Sequence, residues 1–153
     1  MVKRDEHAAV PKLGRDARAR LAAALDVDGV VAAMLFGSQA RGQAGPLSDV
    51  DLAVWLDPAL SRSERHARRL DLIAAATRAL GSGELDLVVL NDATPLLRHR
   101  VRRDGQRLLD RDPRTRVRLE ARALVEYLDT APLRATLAAG VRHRIEEGRF
   151  GRP

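Results

Sequence analysis

The chain contains no cysteine, so disulfides and thiolate metal sites are excluded. Its four histidines, His7, His66, His99 and His143, are scattered, with no paired spacing of the kind a structural zinc site uses. Aromatic residues make up 3% of the 153 residues, as Phe36, Trp55, Tyr127 and Phe150. Those are too few to build platforms on which bases stack. Long hydrophobic runs are missing as well. The longest stretch free of Asp, Glu, Lys and Arg runs from Gly29 to Ala40, well short of the roughly 18 apolar residues of a membrane span. The opening segment MVKRDEHAAVPKLGR has no apolar signal-peptide core. A soluble, cytoplasmic protein without membrane association is expected. Lysine is nearly absent too: only Lys3 and Lys12 occur, and every other basic residue is arginine. With abundant alanine, this points to genomic base composition more than to a nucleic-acid tail.

The composition that remains, 45% hydrophobic and 31% charged, is that of a folded protein. The length fits one domain of roughly 100–200 residues. We expect a single domain over residues 1–153, with its core at about 16–110 and C-terminal helices at about 112–148. The net charge of +6 is local: residues 98–122 hold ten arginines against four acids, and the rest of the chain balances. Direct nucleic-acid binding is not expected. The arginine-rich segment reads as a solvated face, or else as a docking surface for an acidic partner or a phosphate.

Residues 16–25 place Ala17, Leu21, Ala24 and Leu25 on one helical face. The apolar run 30–36 reads as a strand buried on both faces and ending at Gly37. A second strand spans 49–56. Ser61-Arg62-Ser63-Glu64 is a capping box that opens a helix to about Leu80, with Leu70, Ile73, Ala74 and Thr77 inward. Residues 84–90 form a third strand, Thr94-Pro95 starts a helix to about Asp104, and 106–109 a fourth, edge strand. Asp112-Pro113 begins a helix through about Asp129, and a last helix follows Pro132. The order gives an α/β (α+β) fold, a small mixed sheet flanked by helices with a C-terminal helical hairpin. Leu133, Leu137, Val141 and Ile145 make a stripe that covers the domain or binds a partner helix. Trp55 and Tyr127 read as core.

The chemistry concentrates in Gly37–Leu52, where a strand ends in Gly-Ser, ten residues intervene, and the next strand opens with Asp49-x-Asp51. Strand side chains alternate, so Asp49 and Asp51 share a face, about 7 Å apart at about 3.3 Å per residue. Two like charges on an apolar strand repel, so one holds a proton unless a cation intervenes. Two Mg²⁺ ions, hard cations suited to oxygen ligands, remove that penalty. Asp86, inside the third strand, joins them if that strand lies beside 49–56; alone, it reads as a strand-edge acid facing solvent. Gly37 lets backbone approach a ligand. Ser38 and nearby N–H groups can donate to phosphate oxygens, and Arg41 can neutralise phosphate charge. Gly-Ser alone is a common turn, and Asp-x-Asp alone a common strand entry; the combination is far more specific. No Walker pattern follows Gly42 and Gly45, and Gly81-x-Gly83 precedes a strand, unlike a dinucleotide fingerprint.

Read together, Gly37, Ser38, Ala40, Arg41, Gly42, Ser48, Asp49, Asp51 and Leu52 resemble the signature of the DNA polymerase beta-like nucleotidyltransferase superfamily, and in particular its minimal nucleotidyltransferase branch. The stretch Arg122–Asp129 is similar to MntA-type antitoxins of that branch. The resemblance implies that Asp49, Asp51 and Asp86 bind Mg²⁺ and carry catalysis, Asp86 also helping to deprotonate the attacking hydroxyl. It implies ATP as substrate, with Gly37 and Ser38 holding its phosphates. It further implies a HEPN-domain ribonuclease toxin as partner, silenced by transfer of AMP from ATP to a toxin tyrosine. Gln39 stands where arginine or a similar residue is frequent, which bears on phosphate contacts. Two other readings remain: an antitoxin that acts by occlusion with idle acids, and nucleotidyl transfer to a small molecule such as an aminoglycoside, for which 153 residues leave little room.

Overall fold

A computed structural model describes residues 13–42, 49–81 and 84–148. Helix α1 (Arg15–Leu25) leads into strand β1 (Val30–Phe36), a short helix α2 (Gly37–Arg41), and β2 (Val50–Leu56). Helix α3 (Arg62–Leu80) crosses to β3 (Leu85–Val89), and a single 3₁₀ turn (Leu90–Asp92) precedes α4 (Pro95–Asp104). Strand β4 (Gln106–Asp110), α5 (Pro113–Asp129) and α6 (Ala131–Glu146) complete the described chain. The expected elements are present, with α2 and the 3₁₀ turn added.

The sheet order is β3-β2-β1-β4. β1 runs antiparallel to β2 and β4, whereas β2 and β3 are parallel. A parallel pair needs a long crossover, and α3 supplies it. β1 is central, which explains its unbroken apolar run, and β4 is an edge as expected.

Strand alternation divides the core into two. Val50, Leu52, Val54 and Leu56 of β2 join Leu87 and Val89 of β3 against Leu21 and Leu25 of α1 and Leu72 and Ala76 of α3. Ala53 and Trp55 face the other way, with Met34, Leu90, Val101 of α4 and Ala123 of α5. Asp51, of the same parity as Ala53 and Trp55, therefore lies on the α4 and α5 side.

Helix α3 starts as expected: the Glu64 N–H donates to Ser61 Oγ at 3.2 Å, and the Ser61 N–H donates to Glu64 Oε2 at 2.7 Å. Its inward face differs from expectation. Leu72 and Ala76 are buried and Ile73 is partly so, while Leu70, Ala74 and Thr77 are exposed. The helix is apolar on two sides, and the crossover geometry selects the side containing Leu72.

The arginine-rich segment is chiefly a solvated face, as expected: eight of its ten arginines are exposed, and only Arg98 and Arg116 are drawn inward. Arg98 donates to the carbonyls of Leu90 and Asn91 and pairs with Glu126 at 2.6 Å, joining α4 to α5. Arg116, 8% exposed, bridges Asp110 and Glu120 at 3.0 and 2.9 Å. Arg111 reaches Asp26, Asp28 and the Val27 carbonyl. These three guanidinium forks brace neighbouring elements.

Tyr127 is half-buried, its ring stacked on His99 with centroids 3.8 Å apart, and Arg134 lies over it at 3.7 Å. No α6 residue is buried, and Leu133, Leu137 and Ile145 are exposed, so the stripe does not cover the rest of the fold. Among the described residues no helix is long and apolar enough to cross a membrane. His7, Ser48 and Phe150 lie outside the described residues.

Candidate active site

Asp51 sits where β1, α2 and β2 meet. It pairs in register with Phe36 of β1, the residue immediately before Gly37. Gly37 has φ +69°, and a Cβ on it would lie 2.1 Å from Asp51 Oδ2. Only glycine both adopts this left-handed backbone at low cost and leaves room for the carboxylate. The Gly-Ser element and the Asp-x-Asp element are thus in direct contact. Burial holds the Asp51 carboxyl above the usual carboxylate range, and the charges of Asp86 and Asp49 push it in the same direction. Arg41, exposed at the end of α2, opposes them.

The parallel register sets Asp51 directly opposite Asp86. Register partners point to the same face, so Asp86 is brought to Asp51, as expected. Asp86 is also exposed on an edge strand, as the solvent-facing reading has it. Its Oδ1 lies 3.5 Å from Arg69 Nη2 of α3, and Arg69 Nε is anchored to the Leu87 carbonyl at 2.7 Å. Asp49 is exposed, one residue ahead of β2 rather than inside it. Ser38 is partly buried in α2 and its hydroxyl has no partner among the described residues.

All three acids offer oxygen only, the donor set of a hard cation such as Mg²⁺. The upward push on Asp51 from its two acidic neighbours is the electrostatic condition a cation relieves. Among the described residues no three His, Cys, Asp or Glu side chains come close enough together to hold a metal ion.

Several supporting residues carried no sequence signal. Gln39 is 2% exposed, and its Oε1 accepts from the Leu13 N–H at 3.3 Å. Its side chain anchors α2 inside the protein. Gln106 of β4 donates to the Ala40 carbonyl at 2.8 Å and accepts from Arg18 at 2.6 Å. Asn91 exchanges two 2.9 Å hydrogen bonds with the Leu56 backbone and so completes the far end of β2. Their partners lie 26 to 88 positions away in the chain, so no local pattern announces them.

Comparison with known proteins then decides the family. Residues 21–114 match the model described as polymerase beta, nucleotidyltransferase. This chain belongs to that nucleotidyltransferase family. The match takes in Gly37, Ser38, Arg41, Asp49, Asp51 and Asp86, and β1 to β4. No curated protein matches significantly. Solved structures share the nucleotidyltransferase fold. One is a chain of a toxin–antitoxin crystal structure with AMP-PNP, 22% identical, covering 82% of this chain and 98% of that one, with a TM-score of 0.67. Another is a chain of the toxin–antitoxin pair MntA-HepT, 20% identical, covering 82% and 97%, with a TM-score of 0.62. A third belongs to a tri-AMPylated Shewanella oneidensis HEPN toxin in complex with its MNT antitoxin, 20% identical, covering 82% and 96%, with a TM-score of 0.62.

Proposed function

We propose that this nucleotidyltransferase is a protein adenylyltransferase that acts as an antitoxin, moving AMP from ATP to a tyrosine of a HEPN-domain ribonuclease toxin. The observation that carries the reading is the register of Asp51 against Asp86 beside Gly37, which sets two of the three acids next to the Gly-Ser turn. The fold shared with toxin–antitoxin chains, one of them bound to an AMPylated HEPN toxin, supports the choice of partner.

In this reading Asp49, Asp51 and Asp86 would hold Mg²⁺, two ions being expected, and the metal would supply neutralisation of the triphosphate charge. The chain's own groups do the rest. Gly37 lets the backbone come close to the phosphates, Ser38 Oγ–H donates to a phosphate oxygen, and Arg41 balances negative charge. Asp86 accepts the proton of the tyrosine hydroxyl while its oxygen bonds to the α-phosphorus and pyrophosphate leaves. The tyrosine is left as its adenylyl phosphodiester, and no residue of the transferase is modified.

The test is incubation with the toxin encoded by the neighbouring gene, ATP labelled at the α-phosphate, and Mg²⁺. Label on a toxin tyrosine is expected, and its loss with Asp49→Asn plus Asp51→Asn. Full neutralisation of the toxin by that double variant would overturn the reading in favour of occlusion.

A further inference from the structure

A groove of about 510 Å³ runs along the β3 edge away from Asp86. One wall is a single face of α3, where Arg62, Arg65, His66 and Arg69 recur at the helical spacing i, i+3, i+4, i+7. The opposite side includes Val88, Ala93 and Leu97, an apolar strip. Asp86 belongs both to this groove and to the acidic set, so the groove opens directly onto the candidate active site.

The cations of the wall are unequally committed. Arg65 is fully engaged by Asp92 through two bonds of 2.6 and 2.9 Å. Arg69 reaches Asp86 only at 3.5 Å. Arg62 is exposed, and no ion pair engages it among the described residues. An anionic ligand lying along the groove would therefore meet available positive charge. The strip of Val88, Ala93 and Leu97 suits aliphatic or aromatic side chains. The imidazole of His66 is the only ring in the lining, so bases have no stacking platform there.

We infer that this groove is the acceptor channel, and that it receives an acidic segment of the polypeptide whose hydroxyl is adenylylated. The inference rests on the transferase reading for its chemistry and adds the recognition rule: carboxylates flanking the acceptor tyrosine lie along the α3 arginines, the ring lies on Val88 and Leu97, and the hydroxyl is delivered at Asp86.

The probe is a fluorescein-labelled peptide with Glu-Glu-Tyr-Glu-Glu between Gly-Ser arms, compared with its Lys-Lys-Tyr-Lys-Lys counterpart. Binding to the full chain is followed by anisotropy without ATP, so this measurement does not depend on transfer. The acidic peptide is expected to bind about tenfold tighter than the basic one, with the preference fading at high salt. Arg62→Glu abolishes the preference. Arg62 is the first residue of α3, where an acidic side chain favours the helix, so this variant keeps its fold. Arg78→Glu, the same charge change in the last turn of α3 and outside the groove, leaves the preference intact. With ATP and Mg²⁺, Arg62→Glu raises KM for the acidic peptide and spares kcat. Equal binding of both peptides, an Arg62→Glu variant that still prefers the acidic one, or displacement by oligouridylate but not by polyglutamate would each overturn the inference. Failure to label the toxin with the acidic preference intact would count against the transferase reading instead.

Discussion

Along β2, Val50, Leu52, Val54 and Leu56 are at most 7% exposed and pack in one cluster with apolar side chains of α1, α3, β1 and β3. The alternate positions run from buried Trp55 through Ala53 to half-buried Asp51. One strand thus presents a closed apolar surface to one side and, on the other, a gradient that ends in a carboxylate. A carboxylate in the middle of the strand would be costly to desolvate. At the start of β2, beside Gly37 and opposite Asp86, the charge keeps partial solvent access and electrostatic tension that a cation can relieve. Stability is concentrated on the closed side, and the proposed chemistry belongs to the open end of the other.

That contrast can be broken from either side. The largest effect is expected on the closed side, where Leu52→Ala should cost about 2–5 kcal/mol, read by thermal or denaturant unfolding. Next, Gly37→Ala places a methyl group on the Asp51 carboxylate and strains a left-handed backbone. AMP transfer to the toxin should fall about 100-fold, equivalent to about 2.7 kcal/mol of transition-state stabilisation. Removing the α3 cap with Ser61→Ala leaves the Glu64 N–H without its side-chain acceptor, and should lower stability by about 1 kcal/mol with no change in transfer rate.

The smallest effect is the most specific. Burial, then Asp86 and Asp49, raise the Asp51 carboxyl in the folded state. A raised acid contributes stability that is present below the ordinary carboxylate pKa and is lost as pH rises through the folded value. Asp51→Asn avoids that loss. The variant should melt about 1–2 °C above the wild type at neutral pH, since solvent screening keeps the energy to a few tenths of a kcal/mol. The gap should close below about pH 4, and adding Mg²⁺ should narrow it by stabilising only the wild type. A variant less stable than the wild type at neutral pH would show that Asp51 is not under the repulsion inferred for it.

Much of this was legible beforehand. Ser61 and Glu64 announce α3, and Thr94-Pro95 and Asp112-Pro113 announce α4 and α5, because capping acts over three or four residues. Strand parity gives Asp51 its face. The inward face of α3 was not legible, because Leu70 and Leu72 are equally apolar and only packing distinguishes them. The arginine segment is a solvated face, as its composition suggests, but composition does not show that Arg98, Arg111 and Arg116 have carboxylates waiting on other elements.

Short-range rules were therefore sufficient for the order of the main elements and for the residue types at the site, since each depends on neighbours within a turn or a strand step. Folding in three dimensions was needed to set Asp86 against Asp51, to turn Gln39 inward, and to open a cationic groove beside Asp86. Those outcomes arise from contacts between residues far apart in the chain, and packing against a common sheet is the physical agent that selects among the partners the chain could have used.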